Sequence, residues 1–69
     1  MPKKNLALKI AIIESGLSQV DIAEAADIHE SKLSYFVNGR REPSAAERKA
    51  IARVLKRKAA DLFPEALAS

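Results

Sequence analysis

The chain has 69 residues, of which 12 are Lys or Arg and 9 are Asp or Glu, and its net charge is +3. This length is enough for one domain and excludes a second. Cysteine is absent, which excludes disulfides and thiolate metal sites and makes a reducing cytoplasm the expected location. The apolar stretch 6–13 is interrupted by Lys9 and is too short to span a membrane. The small positive charge favours a polyanionic partner only weakly, so the positions of the charges matter more than their sum.

Helix-forming residues dominate, and no stretch alternates apolar with polar residues long enough to predict a half-buried strand, so the predicted fold class is all-α. The first predicted helix covers about Asn5 to Ser15. Asn5 is a suitable N-cap, and Gly16 is the stop signal. The spacing predicts that the inward stripe of this helix is formed by Leu8, Ala11 and Ile12.

A second helix is predicted from Gln19 to about Ala25, with Ser18 as its cap. The spacing of its apolar residues places Ile22, Ala23 and Ala26 on one face. Residues 26–28 are predicted to form a tight connection. Outside glycine, an aspartate such as Asp27 is well suited to the left-handed backbone conformation that such a connection needs.

The third predicted helix follows this connection and continues to about Val37, where Asn38 and Gly39 end it. Its buried side is predicted to hold Leu33, Phe36 and Val37. The opposite side is polar or amphipathic and is formed by Ser31, Ser34, Tyr35 and Asn38, with Lys32 at its flank. A basic loop at 40–43 then ends in a proline that cannot continue a helix.

Ser44 and Glu47 form a capping box that begins a fourth helix, whose apolar stripe is Ala50, Ile51, Val54 and Leu55. The three cations at 56–58 are interpreted as a solvated helix end matched to the helix dipole. Residues 59–63 are predicted to form one further short helical turn, with Leu62 and Phe63 folded back onto the core. The last few residues of the chain are predicted to fray. The result is a compact bundle of four helices plus a fifth short helix.

Residues 17–39, LSQVDIAEAADIHESKLSYFVNG, resemble the helix-turn-helix of phage repressor and Cro proteins, also called the xenobiotic-response-element (XRE) family. The matching features are Gln19 after the cap, Ala23 at the helix crossing, apolar residues at 28, 33 and 36, and the closing Asn38 and Gly39. With the flanking helices the resemblance covers 6–64. It implies a single lambda-repressor-like DNA-binding domain over 1–69, with the helix-turn-helix at about 18–37 and the third helix in the major groove.

The sequence departs from the family pattern at two places. Asp27 stands where the family often has glycine in the turn. Ile12 and Val37 stand where several members have a buried ion pair between an arginine and a glutamate. Replacing both members of such a pair by packed apolar residues is often neutral or stabilising, so the double change is consistent with the fold.

The resemblance implies that base edges are read by Glu30, Ser31, Lys32 and Tyr35. Their chemistry is suitable, because glutamate accepts from cytosine and lysine donates to guanine, while serine tolerates several partners. Glu30 has an equally good structural explanation, since an acidic residue in the first turn stabilises a helix through its dipole. For Lys32, DNA contact is favoured over a solubilising role because this residue lies beside the face that must meet the groove.

Contacts to the DNA backbone are assigned to Ser18, Gln19, His29, Ser34, Asn38, Arg40 and Arg41. In relatives, the glutamine at the position of Gln19 contacts the backbone and braces the recognition helix. Arg40 and Arg41 supply affinity and register, an interpretation favoured over a solvated loop. His29 is the only histidine, so a metal role lacks a second ligand, and a backbone or phosphate contact or a solvated helix end remains open.

The predicted function is sequence-specific binding of double-stranded DNA by a transcription regulator, with a repressor favoured. Catalysis is not expected, because the sequence has no nucleophile–histidine pair, phosphate-binding loop or metal cluster; no cofactor or small-molecule substrate is expected either. The alternative is a helical protein-interaction module or antitoxin, but the third helix offers only Tyr35 as an anchor. Only Phe63 and Leu67 suggest a dimer surface, so we expect a monomer that forms a homodimer on DNA.

Overall fold

The computed structural model describes residues 4–63, which form five helices and contain no strand. The helices are α1 (Leu6–Ser15), α2 (Gln19–Ala25), α3 (Glu30–Val37), α4 (Ala45–Leu55) and α5 (Ala59–Leu62). None of these helices is long and apolar enough to cross a bilayer. The all-helical class and the predicted helix positions are confirmed, whereas the fraying predicted for the last few residues lies outside the described residues.

One hydrophobic core joins the five helices. Each helix contributes one of its largest fully buried side chains, which are Leu8, Ile22, Leu33, Ile51 and Leu62. The inward stripes predicted for the first three helices are confirmed. In α4 the prediction was partly wrong: Ala50 and Val54 are only half-buried, while Ala52 is buried. Because α4 contacts α1, α2 and α5, its buried face is wider than a single stripe.

The connection between α2 and α3 has the predicted backbone. Asp27 has a φ of 58°, in the left-handed region where the family often has glycine. The backbone N–H of Ile28 donates to the carbonyl oxygen of Ala23 at 2.9 Å, which fixes the chain direction after α2. At the other end of α2, Ser18 Oγ accepts from the Asp21 N–H, and the Asp21 carboxylate accepts from the Ser18 N–H. Both ends of α2 are therefore satisfied locally.

Asn5 connects three helices. Its side-chain oxygen accepts from the Leu8 N–H at 3.0 Å and caps α1, as predicted. Its amide nitrogen donates to the Leu62 carbonyl oxygen of α5 at 2.7 Å. Its own backbone N–H donates to the Val37 carbonyl oxygen at the end of α3 at 2.9 Å. One residue thus satisfies polar groups at three helix ends, which the sequence showed only as a cap.

Ile12 and Val37 are both buried in the core, with 7% and 6% of their surfaces exposed, and α1 contacts α3 directly. Both positions are therefore apolar interior sites, as the paired departure from the family pattern suggested. That the two side chains face each other stays a prediction.

The three cations at 56–58 follow the end of α4. Lys56 has a φ of 56° and ends the helix in the left-handed conformation. Arg57 donates from Nη2 to Glu14 Oε1 at 2.7 Å and links the end of α4 to the end of α1. Both side chains of this pair are substantially exposed, so its contribution to stability is small.

Candidate nucleic-acid interface

Helix α3 is held against the core by Leu33, Phe36 and Val37, which are all buried. Its other side is open to solvent. Glu30 and Ser31 in the first turn are exposed, and Tyr35 exposes 41% of its surface. Three of the four residues predicted to read bases therefore lie on the accessible side of α3, which is the side that a groove could contact.

The first turn of α3 is capped by His29. Its Nδ1 accepts from the Ser31 backbone N–H at 3.2 Å and lies 2.8 Å from Ser31 Oγ. The sequence placed His29 at the helix start without identifying it as the cap, because histidine is not among the preferred capping residues. The hydroxyl of Ser31 is engaged by this ring, so a contact from Ser31 to a base requires the hydroxyl to exchange partners.

Lys32 is directed back to α4. Its Nζ lies 2.6 Å from Glu47 Oε2, and the Lys32 side chain is 41% exposed while that of Glu47 is 17% exposed. The second oxygen of Glu47, Oε1, accepts from the Ser44 backbone N–H at 2.8 Å in the predicted capping box. Hydrogen bonds from Lys32 and from the Ser44 backbone lower the pKa of Glu47 below its ordinary value of 4.5. Lys32, the fourth residue predicted to read bases, is therefore already paired with Glu47 in the free chain.

The end of α3 leads into the basic loop. Asn38 donates from Nδ2 to the Ser34 carbonyl oxygen at 2.8 Å, and its N–H bonds to the same oxygen at 3.0 Å. The Arg40 N–H donates to the Tyr35 carbonyl oxygen at 2.9 Å. These bonds place Arg40 and Arg41, both exposed, at the C-terminal end of α3. Ser34 and Asn38 are half-buried, and the Asn38 side-chain amide also donates to the Ser34 hydroxyl oxygen.

The remaining residues assigned to the DNA backbone lie at the beginning of α2. Ser18 is exposed, but its hydroxyl oxygen accepts from the Asp21 N–H in the capping box. Gln19 follows it and is half-buried. The structure therefore brings the predicted residues together along α3 and the loop after it, and places Ser18 and Gln19 on the neighbouring helix of the same unit.

The space beside the Lys32–Glu47 pair is an open groove of about 520 Å³ between the α2–α3 connection and the beginning of α4. Asp27 and Glu47 line it together with Lys32, so the acidic side chains of the groove outnumber its lysine by one. Within residues 4–63, no three His, Cys, Asp or Glu side chains come together as a metal site.

The expected dimer surface needs correction. Phe63 exposes only 4% of its surface and belongs to the core, so it cannot form a dimer contact without leaving that core. Leu67 lies outside the described residues. Sequence reasoning missed a different apolar surface, on α1, although its spacing was visible. Its exposed members are Leu6 at 62%, Ile10 at 53%, Ile13 at 69% and, just after the helix, Leu17 at 41%.

Comparison with known proteins identifies a family and a similar solved structure. A family model described as helix-turn-helix matches residues 8–62, a range that extends from α1 to α5. The crystal structure of the clp gene regulator ClgR from C. glutamicum is similar, with a TM-score of 0.77 and 26% sequence identity over 93% of this chain and 83% of that chain. No curated protein sequence matches the chain.

Proposed function

Since the chain belongs to the helix-turn-helix family of the phage repressor and Cro (XRE) type, a family of DNA-binding transcription regulators, we propose that it recognises specific double-stranded DNA through α3 and represses transcription. In this proposal residues 1–69 act as one DNA-binding domain, with the helix-turn-helix at about 18–37. The DNA lies outside the protein against the solvent-facing side of α3, which enters the major groove.

The observation that carries the proposal is the two-sided character of α3. Its apolar side is fixed by Leu33 and Phe36 in the core, while Tyr35 and the polar first turn face solvent. A helix held so firmly can present side chains to base edges in one geometry, which sequence recognition requires. Glu30, Ser31 and Tyr35 are the exposed members of the proposed base-reading set.

Arg40 and Arg41 supply the contacts to phosphate in this proposal. Both are exposed at the end of α3, where a helix in the major groove leads out toward the DNA backbone. Such contacts set affinity and register but do not distinguish sequences. Ser18, Gln19, His29, Ser34 and Asn38 complete the proposed set of backbone contacts.

The proposed repressor role rests on steric exclusion. A small domain that occupies the major groove excludes other proteins from that stretch of DNA. ClgR is described as a gene regulator, and the similarity of fold supports a regulatory role here. Because the proposed partner is double-stranded DNA, we assign the proposed activity to the cytoplasm.

A second candidate function is protein interaction, as in an antitoxin that binds both DNA and a partner. The observation that favours it is the exposed apolar surface of α1. The core-facing side of α1 lies opposite that surface, and α3 packs on the core-facing side. The two functions therefore use different surfaces, and one does not exclude the other.

Selection of bound sequences from random duplex DNA tests the proposal. We expect enrichment of one motif, with two-fold symmetry if two copies bind. Tyr35→Ala should alter the enriched motif, whereas Lys49→Ala, an exposed residue of α4, should leave the motif unchanged. Recovery of no motif, with equal retention of all sequences, would contradict sequence-specific recognition.

A further inference from the structure

Helix α1 has two apolar sides. At about 100° per residue, Leu6, Ile10 and Ile13 fall within an arc of about 60°. The buried residues Leu8, Ala11 and Ile12 are centred on the opposite side of the helix. A helix that is apolar all round is normally covered on all sides. Here the outer side is covered by nothing in residues 4–63, as the exposed fractions of these three side chains show.

We propose that this outer side, formed by Leu6, Ile10, Ile13 and Leu17, pairs with the same surface of a second copy of the chain. The two α1 helices run parallel and are related by a two-fold axis along their length. This inference goes beyond the proposed function and does not rest on it, because the pairing is measurable without DNA.

The spacing of the three residues within α1 fits a paired helix. Positions 6, 10 and 13 are separated by four and three residues, which is the alternation of core positions in the 3.5-residue repeat of a two-stranded seam. Leu17 follows Gly16, whose left-handed backbone ends α1, so it extends the apolar surface beyond the last helical turn.

Two charged residues select the second copy as the occupant. Lys9 and Glu14 are both exposed and flank the seam on opposite sides, immediately before Ile10 and immediately after Ile13. In a parallel pair, a flanking residue of one helix faces the residue five positions later on the other, so Lys9 meets Glu14 of the second copy. The two-fold axis makes this contact twice. In an antiparallel pair, Lys9 would face Lys9 and Glu14 would face Glu14, which is repulsive.

The intrachain bond of Glu14 is compatible with this contact. Arg57 occupies Glu14 Oε1 at 2.7 Å, and the carboxylate has a second oxygen to offer Lys9 of the other copy. The side chain of Glu14 is 56% exposed, so it can be reached from outside.

The size of the surface predicts weak pairing. A helix of ten residues is about 15 Å long and about 10 Å wide, so one side offers a few hundred square ångströms. Stable complexes bury about 800 Å² on each partner. The dimer should therefore appear only at high protein concentration, in line with the expectation from the sequence of a chain that is monomeric off DNA.

Sedimentation equilibrium of the full chain, from dilute solution to about 1 mM, tests the pairing. The average mass measured for the wild type should rise toward that of two chains as the protein concentration increases. Ile13→Glu should weaken pairing at least about tenfold, because it places a charge in the seam. Val20→Glu makes the same kind of change at an apolar site on α2 that is 50% exposed, and should pair like the wild type. Circular dichroism of all three proteins confirms that the fold is retained.

Charge exchange tests the orientation. Lys9→Glu alone and Glu14→Lys alone should each pair more weakly than the wild type, and an equimolar mixture of the two variants should pair more strongly than either. Arg57→Ala removes the intrachain partner of Glu14 and should pair at least as well as the wild type.

The proposal would be overturned by a wild-type chain that stays monomeric at about 1 mM, or by an Ile13→Glu variant that pairs as strongly as the wild type. It would also be overturned if the mixture of Lys9→Glu and Glu14→Lys paired no more strongly than either variant alone. A monomeric chain that binds vesicles of anionic lipid, with no such binding by Ile13→Glu, would assign the surface to a membrane instead.

Discussion

Lys32 Nζ lies 2.6 Å from Glu47 Oε2, so a residue proposed to read DNA bases is joined to the first turn of α4. The same carboxylate closes the capping box with Ser44. The contact links the orientation of α3 to the beginning of α4. It also means that Lys32 must exchange a protein carboxylate for a base edge when DNA binds.

The Lys32–Glu47 contact should make stability depend on pH. The hydrogen bonds from Lys32 and from the Ser44 backbone lower the pKa of Glu47 in the folded chain, while the unfolded chain keeps the ordinary value of 4.5. The stabilisation is therefore present above pH 4.5 and disappears as the pH falls through the lowered pKa. Glu47→Gln keeps the capping geometry but removes this titration. Urea unfolding should show the wild type more stable by up to about 1 kcal/mol near neutral pH. That advantage should shrink below pH 4.5, and a constant difference at all pH values would contradict this explanation.

Glu47 should also compete with DNA for Lys32. We expect Glu47→Gln to raise the affinity for the cognate duplex more than that for scrambled DNA, because the released Lys32 amine becomes available to a base edge. Asp61→Asn on α5 changes the net charge equally and serves as the matched control. A fluorescence anisotropy titration compares the two variants. Equal increases in affinity for both would show that only the net charge matters.

Asn5 should contribute more than an ordinary cap. Asn5→Ala removes both the cap of α1 and the bond to the Leu62 carbonyl oxygen, with an expected cost of about 2 kcal/mol. Asn5→Ser keeps a capping oxygen but is too short to bond Leu62, and should cost about 1 kcal/mol. Urea unfolding measures both variants. If Asn5→Ser were as stable as the wild type, the bond to α5 would contribute nothing to stability.

Ile12 and Val37 should behave as a coupled pair. Ile12→Arg places an unpaired charge in the core and should cost about 3 kcal/mol or more, and adding Val37→Glu should recover part of this stability. The free energies of unfolding of the two single variants and the double variant test the coupling. A double variant no more stable than Ile12→Arg would show that the two residues do not face each other.

The fold was predictable because its determinants are local. Asn5, Ser18 and Ser44 indicate helix beginnings by their chemistry, Gly16 ends α1, and apolar spacing identifies the buried sides. The left-handed conformation of Asp27 was also predictable, since few other residues tolerate it. Each of these signals depends only on residues that are close together in the sequence.

What the sequence could not show depends on packing between distant segments. The contact of Lys32 with Glu47 requires the angle between α3 and α4, and that of Glu14 with Arg57 requires α1 beside the end of α4. The exposed apolar side of α1 could not be identified for a related reason. Spacing separates the two apolar sides of α1, but only the packing of the other helices shows that the side with Ile10 and Ile13 stays uncovered within residues 4–63.

The central proposal, that α3 reads bases while the loop after it holds phosphates, is tested by one comparison of cognate and scrambled duplexes at several salt concentrations. Glu30→Ala and Lys32→Ala should each cost about 1–3 kcal/mol on the cognate duplex and less on scrambled DNA. Arg40→Ala and Arg41→Ala should weaken binding to both duplexes about equally and reduce the salt slope by about one unit for each phosphate interaction that is removed. If the arginine variants changed the base preference and the α3 variants did not, the roles assigned to α3 and to the loop would be reversed. Four variants that all bind like the wild type would contradict DNA recognition by this surface.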